Sequence, residues 1–312
     1  MKVLSLFDGI SCGRTAPERA GIPVENYAAY EIDRYAVQTA LKNYPDICQC
    51  GNVFDGDFTK YKGYDLLLGG SPCTYWSIAK KNRETTPDGE GFRLFMQYVR
   101  ALKESECRWF LYENNYSIHQ NIKDEISKYL GVQPVMINSA LVSAQQRKRC
   151  YWTNIPDVTQ PADKNIFLSD IIDNALPWQG KSYCLTANYA SAYLKNTLER
   201  HQRTMVAKPV RIGDIGSASQ GQRVYSVQGK SITLSANTGG QGGGTGLYKI
   251  DLPDGNYIIR KLSPVECERL QTLPDNYTAG VSDHQRYRQL GNGWTVDVIA
   301  HILKNIPRCK AP

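Results

Sequence analysis

Short apolar runs alternate with segments of helical period through the first half of the chain. This alternation predicts strand–helix units, which are typical of an α/β fold with a doubly wound, largely parallel sheet. A helix is predicted after the turn at residues 8–13. Because Pro17 would lie inside it, this helix should either begin later than the turn suggests or be kinked at Pro17. The predicted strands span residues 3–7, 27–32, 64–68 and 109–112, with others around Val135 and Tyr151, and the predicted helices span residues 35–44, 92–103 and 118–129.

The pattern changes after about Pro161, where the alternation weakens and polar, tyrosine-rich runs appear. A glycine-rich stretch at residues 238–246 predicts a flexible loop. Short β-like runs at 225–227 and 257–259 predict irregular strands. We therefore predict a second, smaller domain that is mostly irregular or β.

Two helices are predicted nearer the C-terminus. Ser263, Pro264 and Glu266 have the spacing of a capping box with proline at the first helical position. The apolar run at residues 295–303 predicts a helix that returns to pack on the first domain.

Composition narrows the class of protein. With 312 residues, 41% of them hydrophobic, the chain can form one large domain or two ordinary ones. It contains no apolar run near the ~18 residues of a membrane span, and no signal peptide precedes Asp8, so we expect a soluble, cytoplasmic protein without membrane contact. Nine cysteines, without a Cys-x-x-Cys unit, predict neither a disulfide framework nor a metal site.

Positive charge is concentrated in one stretch. The chain has a net charge of +7, and residues 195–230 hold seven basic against two acidic residues. A basic patch suits a polyanion such as nucleic acid, although a solvated cationic face is the commoner meaning of such a run.

Candidate catalytic residues follow the predicted strands. The segment Gly69-Gly70-Ser71-Pro72-Cys73 comes directly after a buried strand, where doubly wound folds bind ligands. Cys73 is either a small packing residue or an activated thiolate nucleophile. Glu113 ends another hydrophobic strand and either faces the same cleft or caps the next helix. Arg147 and Arg149, if extended, share one face and otherwise form a solvated cationic run.

The first turn has the layout of a nucleotide site. The segment from Phe7 to Gly13 joins a strand to a helix but lacks Gly-x-Gly-x-x-Gly, which argues against a dinucleotide. Glu31 ends the second strand, where such folds bind ribose hydroxyls, although a lone acid there is more often only a strand-end charge.

In this order, the motifs resemble those of the cytosine-C5 DNA methyltransferases, over nearly the whole chain. The segment from Val142 to Asn154 is also similar to the catalytic domains of the mammalian de novo enzymes. The matching motifs are Phe7-Asp8-Gly9, Glu31, Pro72-Cys73, Glu113-Asn114, Gln145-x-Arg147-x-Arg149, the series from Arg260 to Pro274, and Gln289-Leu290-Gly291-Asn292.

The resemblance implies a domain organisation. It implies a Rossmann-like methyltransferase domain at residues 1–161 and 285–312, and a target-recognition domain at residues 162–284. The basic stretch would lie in the second domain, where Arg and Lys should mostly position phosphates.

The resemblance also implies a mechanism without a metal. The thiolate of Cys73 would add to C6 of a flipped cytosine, so that C5 takes the methyl group of S-adenosylmethionine. Glu113 would hydrogen-bond N3 and the exocyclic amine of the base. Arg149, supported by Arg147, would hold O2 and the catalytic carboxylate.

The cofactor would rest on the first turn. Residues implied to bind it are Phe7, Asp8, Gly9, Ile10, Glu31, Ile32, Asn52, Pro72 and Asn292. The sequence departs from the family pattern at Ser11, which replaces a glycine, at Asn52, which replaces an aspartate, and at Gly293-Trp294, which replaces small or aliphatic residues. These departures affect cofactor affinity and loop detail more than reaction class.

Three alternatives stay open at this point. They are a tRNA cytosine-C5 methyltransferase, a catalytically silent DNA-binding relative, and an unrelated nucleotide-binding protein with a structural cysteine. The leading interpretation is a monomer that binds double-stranded DNA. We expect the protein to be bacterial or phage-encoded, and a cognate restriction endonuclease is a further expected partner.

Overall fold

A seven-stranded mixed sheet forms the centre of the computed structural model, which describes residues 1–77, 82–173, 175–209, 224–226, 247–249 and 257–307. The strand order is β3-β2-β1-β4-β5-β7-β6. The first five strands are parallel, as predicted, whereas β7 runs antiparallel to both β5 and β6. The strands are β1 (Lys2–Leu6), β2 (Asn26–Tyr30), β3 (Cys48–Gln49), β4 (Leu66–Gly69), β5 (Trp109–Asn115), β6 (Val135–Asn138) and β7 (Lys148–Thr153).

Helices cover both faces of this sheet, which confirms the doubly wound prediction. On one face, α1, α2 and α8 pack against the side chains of Val3, Leu66 and Leu68. On the other face, α3 and α4 pack against Leu4 and Leu67. Neighbouring strand residues point to opposite faces, so a continuous apolar run is buried on both sides. The helices are α1 (Cys12–Arg19), α2 (Arg34–Asn43), α3 (Glu90–Ser105), α4 (Gln120–Leu130) and α8 (Val296–Leu303).

Helix α1 begins directly after the first turn and holds Pro17 inside it, so the predicted late start is wrong. Its second residue, Gly13, has no room for a side chain. A Cβ there would lie 2.7 Å from the Tyr27 hydroxyl oxygen and 2.9 Å from Leu68 Cδ1. The glycine therefore lets α1 approach the sheet beside the predicted cofactor turn.

The part of the chain after residue 161 holds short elements. Strands β8 and β11 form an antiparallel ladder, and β9 and β10 pair in parallel. These strands include the predicted runs at Tyr225 and Tyr257, whereas the glycine-rich loop lies outside the described residues. Of the basic stretch, only residues 195–209 and 224–226 are described. The elements are α5 (Leu194–Leu198), β8 (Met205–Pro209), β9 (Val224–Ser226), β10 (Leu247–Lys249), β11 (Tyr257–Lys261), α6 (Pro264–Leu270) and α7 (Asp283–Asn292).

The capping box predicted at Ser263 is confirmed. The Ser263 hydroxyl accepts from the Glu266 N–H at 3.2 Å, and the Glu266 carboxylate accepts from the Ser263 N–H at 2.7 Å. The Glu266 side chain is fully buried and also binds the Arg260 guanidinium, at 2.7 Å. Helix α6 thus begins at a fixed point between β11 and the core.

Residues on both sides of position 284 share one hydrophobic cluster. It contains Leu262 and Leu270 together with Leu290 and Ile299. The Tyr277 hydroxyl donates to the carbonyl of Ile10 at 2.8 Å, so the segment after α6 packs on the first turn. The division into residues 1–161 with 285–312 and residues 162–284 stays a prediction. No helix among the described residues is long and apolar enough to cross a membrane.

Asp297, in the first turn of α8, should make stability depend on pH. Its carboxylate accepts from Arg19 at 2.6 Å and from Lys164 at 2.5 Å. Burial alone would raise the pKa of Asp297, but the hydrogen bonds and charges of these two cations outweigh it and lower the pKa. Asp297→Asn should lower the free energy of unfolding by about 1 kcal/mol at pH 7.

The difference should decrease as the pH falls below about 3.9, the pKa of an unfolded aspartate, and disappear only below the lowered pKa of the folded state, because the carboxylate stabilises only while it is ionised. Urea unfolding of wild type and variant between pH 7 and about pH 3 measures this. Glu106→Gln, which removes an exposed pair with Lys62, serves as the control and should change little. An undiminished difference at the acidic end would contradict the assignment.

Candidate active site

The loop that carries Cys73 is fixed to strand β5. Ser71 Oγ lies 2.6 Å from the Tyr112 hydroxyl, and Asn114 Nδ2 donates to the Ser71 carbonyl at 3.2 Å. The side chains of Ser71 and Asn114 are buried. Pro72 is exposed, and Cys73 opens a short 3-10 turn, Cys73–Tyr75; the Cys73 side chain lies outside the described part of the chain. Asn114 therefore anchors the backbone of the predicted nucleophile loop.

Glu113 occupies a two-sided clamp beside this loop. Arg149 Nε lies 2.9 Å from Glu113 Oε1, and Trp294 Nε1 donates to Glu113 Oε2 at 3.0 Å. Glu113 is only 8% exposed. A Cβ at Gly70 would lie 3.2 Å from Glu113 Oε2, so glycine allows the loop to approach the carboxylate. The alternative that Glu113 caps α4 is wrong, because His119 is the N-cap residue of that helix.

Arg147 precedes β7 and Arg149 lies within it; both guanidinium groups contact Cys184, but their other partners differ. Arg147 is 4% exposed, and its guanidinium donates to the carbonyls of Leu185, Gly291 and Gly293, at 3.1, 3.3 and 2.9 Å. It therefore fixes the backbone immediately before Trp294. Arg149 is the arginine that reaches Glu113.

Cys184 lies between these two guanidinium groups. Its Sγ is 3.6 Å from Arg147 Nη1 and 3.8 Å from Arg149 Nη2. Burial raises the pKa of the Cys184 thiol, but the positive charges of Arg149 and Arg147 outweigh this and lower it. Arg149 thus contacts the Glu113 carboxylate, the Lys148 carbonyl and the Cys184 thiol.

The first turn is held in shape by the Asp8 carboxylate. Its Oδ1 accepts from Ser5 and Tyr27, both at 2.6 Å, and its Oδ2 accepts from Ser11. Burial raises the pKa of Asp8 despite these three hydrogen bonds. Phe7, Gly9 and Ser11 have positive φ angles of 56°, 59° and 61°. The bond from Ser11 to Asp8 offsets the cost of a left-handed serine, which accounts for the departure from glycine.

Glu31 joins this turn to the end of β2. Its Oε2 accepts from the Gly9 N–H at 2.8 Å, and its Oε1 accepts from the N–H groups of Ile32 and Asp33, at 2.8 and 2.7 Å. The Ile32 side chain next to it is 76% exposed.

Two amide side chains complete the predicted cofactor residues. Asn52 is exposed, and its Oδ1 accepts from the Phe54 N–H at 3.1 Å, as an N-cap. Asn292 is exposed at the end of α7, next to Gly293, whose position lies close to Cys12 and Ile10. The Ile10 side chain itself is buried in the core. The predicted cofactor residues thus surround the ends of β1, β2 and β3, apart from Pro72 on the β4 loop.

Three residues around the site were not predicted to act there. Trp294 contacts Glu113, Cys184 contacts both arginines, and Tyr112 anchors the nucleophile loop. For Trp294 the sequence did hold a signal, because a tryptophan stands where the family has a small or aliphatic residue. Cys184 and Tyr112 have no comparable signal in the sequence.

Residues 1–308 match the model of the C-5 cytosine-specific DNA methylase family. The chain belongs to this family. It is therefore an α/β, Rossmann-like, S-adenosylmethionine-dependent DNA cytosine-C5 methyltransferase. The type II methyltransferase M.HhaI of Haemophilus parahaemolyticus is 28% identical, over 98% of this chain and 94% of that protein. The orphan methyltransferase M.SPRI of Bacillus phage SPR is 24% identical, over 98% of this chain and 97% of the phage protein.

Solved structures support the fold of this cytosine methylase. The methyltransferase EhMeth of Entamoeba histolytica has a TM-score of 0.63 at 15% identity and covers 98% of this chain and 97% of its own. A mutant of Spodoptera frugiperda DNMT2 has a TM-score of 0.62 at 16% identity and covers 97% of this chain and 98% of its own.

Proposed function

We propose that this methylase acts on a cytosine flipped out of duplex DNA, with Cys73 as the nucleophile and Glu113 as the group that holds the base. One arrangement carries the proposal: the Glu113 carboxylate, clamped by Arg149 and Trp294, lies against Gly70 in the loop that leads to Cys73. In the chain, Cys73 follows β4 and Glu113 lies near the carboxyl end of β5; these are adjacent parallel strands, and α/β folds bind their substrates at such ends.

Cys73 starts the reaction. Its thiolate forms a bond to C6, and the electron pair of the C5–C6 double bond moves to C5. S-adenosylmethionine, when bound, would supply the electrophilic methyl group that C5 takes, and would leave as S-adenosylhomocysteine with the electron pair of the broken sulfur–methyl bond. When the C5 proton is lost to a base, its electron pair restores the double bond and Cys73 leaves as a thiolate, so the enzyme ends as it began.

Glu113 holds the ring during this addition. A carboxylate has about four acceptor positions, and Arg149 and Trp294 use one on each oxygen. One of the remaining positions accepts from the exocyclic amine of the cytosine. Another faces N3 and accepts from it once this ring nitrogen is protonated, which addition at C6 favours because it moves electron density onto the ring. Negative charge that develops on the ring is stabilised by hydrogen-bond donors that are already in place, and Arg149 donates to O2. Arg147 acts by fixing the backbone that presents Trp294.

Residues at the first turn fit S-adenosylmethionine. Glu31 uses three acceptor positions on backbone N–H groups and keeps acceptor capacity for ribose hydroxyls. The exposed Ile32 offers an apolar surface to adenine. Asn52, Pro72 and Asn292 are exposed around them, while Phe7, Asp8, Gly9 and Ile10 shape the turn.

The finer partner assignments belong to the same proposal. We propose that the enzyme works as a monomer in the cytoplasm of a bacterium or of a phage-infected cell. A cognate restriction endonuclease is proposed because the relatives include a type II methyltransferase, although an orphan methyltransferase also matches. A catalytically silent relative is disfavoured, because the chain has all four residues of the proposed catalytic set: Cys73, Glu113, Arg147 and Arg149.

Methyl transfer to different nucleic acids tests the proposal. Labelled S-adenosylmethionine is incubated with the protein and either unmethylated bacterial genomic DNA, which offers many short target sequences, or tRNA. Label should enter the DNA and not the tRNA. Duplex DNA containing 5-fluorocytosine should then trap a covalent adduct, because fluorine at C5 cannot leave as a proton does. Label in tRNA alone would refute the choice of substrate, and absence of the adduct would refute the mechanism.

A further inference from the structure

An exposed aromatic residue with cations around it lies just beyond the Glu113 clamp. Tyr116 directly follows β5 and is 44% exposed. Lys123 Nζ, from the first turns of α4, lies 4.8 Å from the centre of the Tyr116 ring, and Lys148 Nζ, from the start of β7, lies 5.8 Å from it. Arg83 Nη1 donates to the carbonyl of the next residue, Ser117, at 2.7 Å. We call Arg83, Tyr116, Lys123 and Lys148 the Tyr116 patch.

The cations of this patch have no carboxylate partner within 4.0 Å among the described residues, whereas many other arginines and lysines do. The nearest carboxylates of α4 bind elsewhere. Asp124 accepts from Gln120 at 2.8 Å, and Glu125 pairs with Lys128 at 3.3 Å. Positive charge is therefore gathered around one aromatic ring without local neutralisation, as a surface for a polyanion requires.

The Tyr116 patch is adjacent to the catalytic clamp. Tyr116 is three residues after Glu113, so their Cα atoms are at most about 11 Å apart. Lys148 immediately precedes Arg149, which pairs with Asn115 in the ladder between β5 and β7. Neighbouring residues of a strand point to opposite faces, so Lys148 lies on the face opposite to Arg149, at the same edge of the sheet. Arg149 is mostly buried against Glu113, whereas Lys148 is exposed. Duplex DNA carries a phosphate charge about every 1.7 Å along its axis, so a duplex that delivers a base to Glu113 at this edge of the sheet presents several phosphates along the same edge.

We propose that the Tyr116 patch binds the DNA backbone next to the flipped nucleotide, with Lys123 and Lys148 as phosphate contacts and the Tyr116 ring as the support that holds both ammonium groups. This places part of the DNA-binding surface on the domain that carries the catalytic residues, outside the basic stretch at residues 195–230. The inference rests on the proposed function. Cation–π contacts restrict the two lysines while leaving their N–H donors available for phosphate oxygens.

The salt dependence of DNA binding tests the inference. Affinity of full-length protein for a fixed DNA duplex is measured between about 50 and 200 mM salt for wild type, Lys123→Gln and Lys148→Gln. Each variant should bind about 3- to 10-fold more weakly at the low-salt end, and each should lower the slope of log affinity against log salt by about 0.9. Affinity for S-adenosylmethionine and the melting temperature should not change.

Lys128→Gln is the matched control, since Lys128 lies on the same helix, is 74% exposed and pairs with Glu125. It should keep the wild-type slope. If both patch variants keep that slope, or if Lys128→Gln lowers it equally, the inference is overturned. A wild-type protein that methylates DNA while its patch variants bind normally refutes only this inference. A wild-type protein that does not methylate DNA refutes the proposed function instead.

Discussion

Cys73→Ala should reduce methyl transfer to DNA by about 10⁴-fold or more, since without a thiolate nothing adds to C6 and C5 does not become nucleophilic. Single-turnover transfer of label from S-adenosylmethionine measures the loss. Affinity for S-adenosylmethionine should stay within about 3-fold, because the first turn and Glu31 do not depend on the thiol.

The matched control is Cys48→Ala. Cys48 is an exposed cysteine in β3, at the far edge of the sheet from β5. It should retain wild-type transfer. Rapid transfer by Cys73→Ala, or an adduct with 5-fluorocytosine formed by that variant, would show that another group is the nucleophile.

Glu113→Gln should lower kcat by about 10²- to 10³-fold, which is the range for removing one preorganised electrostatic contact. The amide keeps the size of the carboxyl group but loses the charge that Arg149 binds at 2.9 Å. It also presents an NH₂ group where a second acceptor is needed for Trp294 or for the base. KM for S-adenosylmethionine should change much less than kcat. A kcat within 3-fold of wild type would exclude a direct role for Glu113.

Trp294→Phe provides a graded comparison, because it keeps an aromatic side chain, although a smaller one, and removes the N–H that donates to Glu113 Oε2 at 3.0 Å. Transfer should slow by about 10-fold, the size of one charge-assisted hydrogen bond. In a Glu113→Gln background, Trp294→Phe should slow methyl transfer by a smaller factor, because the two residues act through one contact. Trp109→Phe, at the opposite end of β5, is the control and should retain normal kcat.

The sequence predicted the alternating architecture well because parallel strands buried on both faces leave continuous apolar runs. It also predicted Cys73 and Glu113 at the carboxyl ends of strands or next to them, and Arg149 directly before a strand, which are local properties of the chain. The antiparallel direction of β7 was not predictable from its own residues, since strand direction depends on the connection and on the partner. Helix α7 was missed because only Tyr287 and Leu290 give it apolar character.

Long-range contacts account for most of what sequence reasoning missed at the site. Trp294 reaches Glu113 across 181 residues, and Cys184 reaches Arg149 across 35. No periodicity relates such positions. Trp294 was visible in the sequence as a departure from the family pattern. Its contact with Glu113 was not, because that contact depends on how α7 and α8 pack against the sheet. The Ser11 departure likewise required the structure, which supplied Asp8 as its hydrogen-bond partner.

The contacts of Arg147 make the candidate active site depend on residues that are translated late. Its guanidinium joins β7 to the carbonyls of Leu185, Gly291 and Gly293. A growing polypeptide on the ribosome can form β1 to β7 early, but the buried positive charge has no acceptors from the 291–293 segment until that segment emerges. The same segment carries Trp294, so the clamp on the Glu113 carboxylate can be completed only after residues 291–294 have been synthesised.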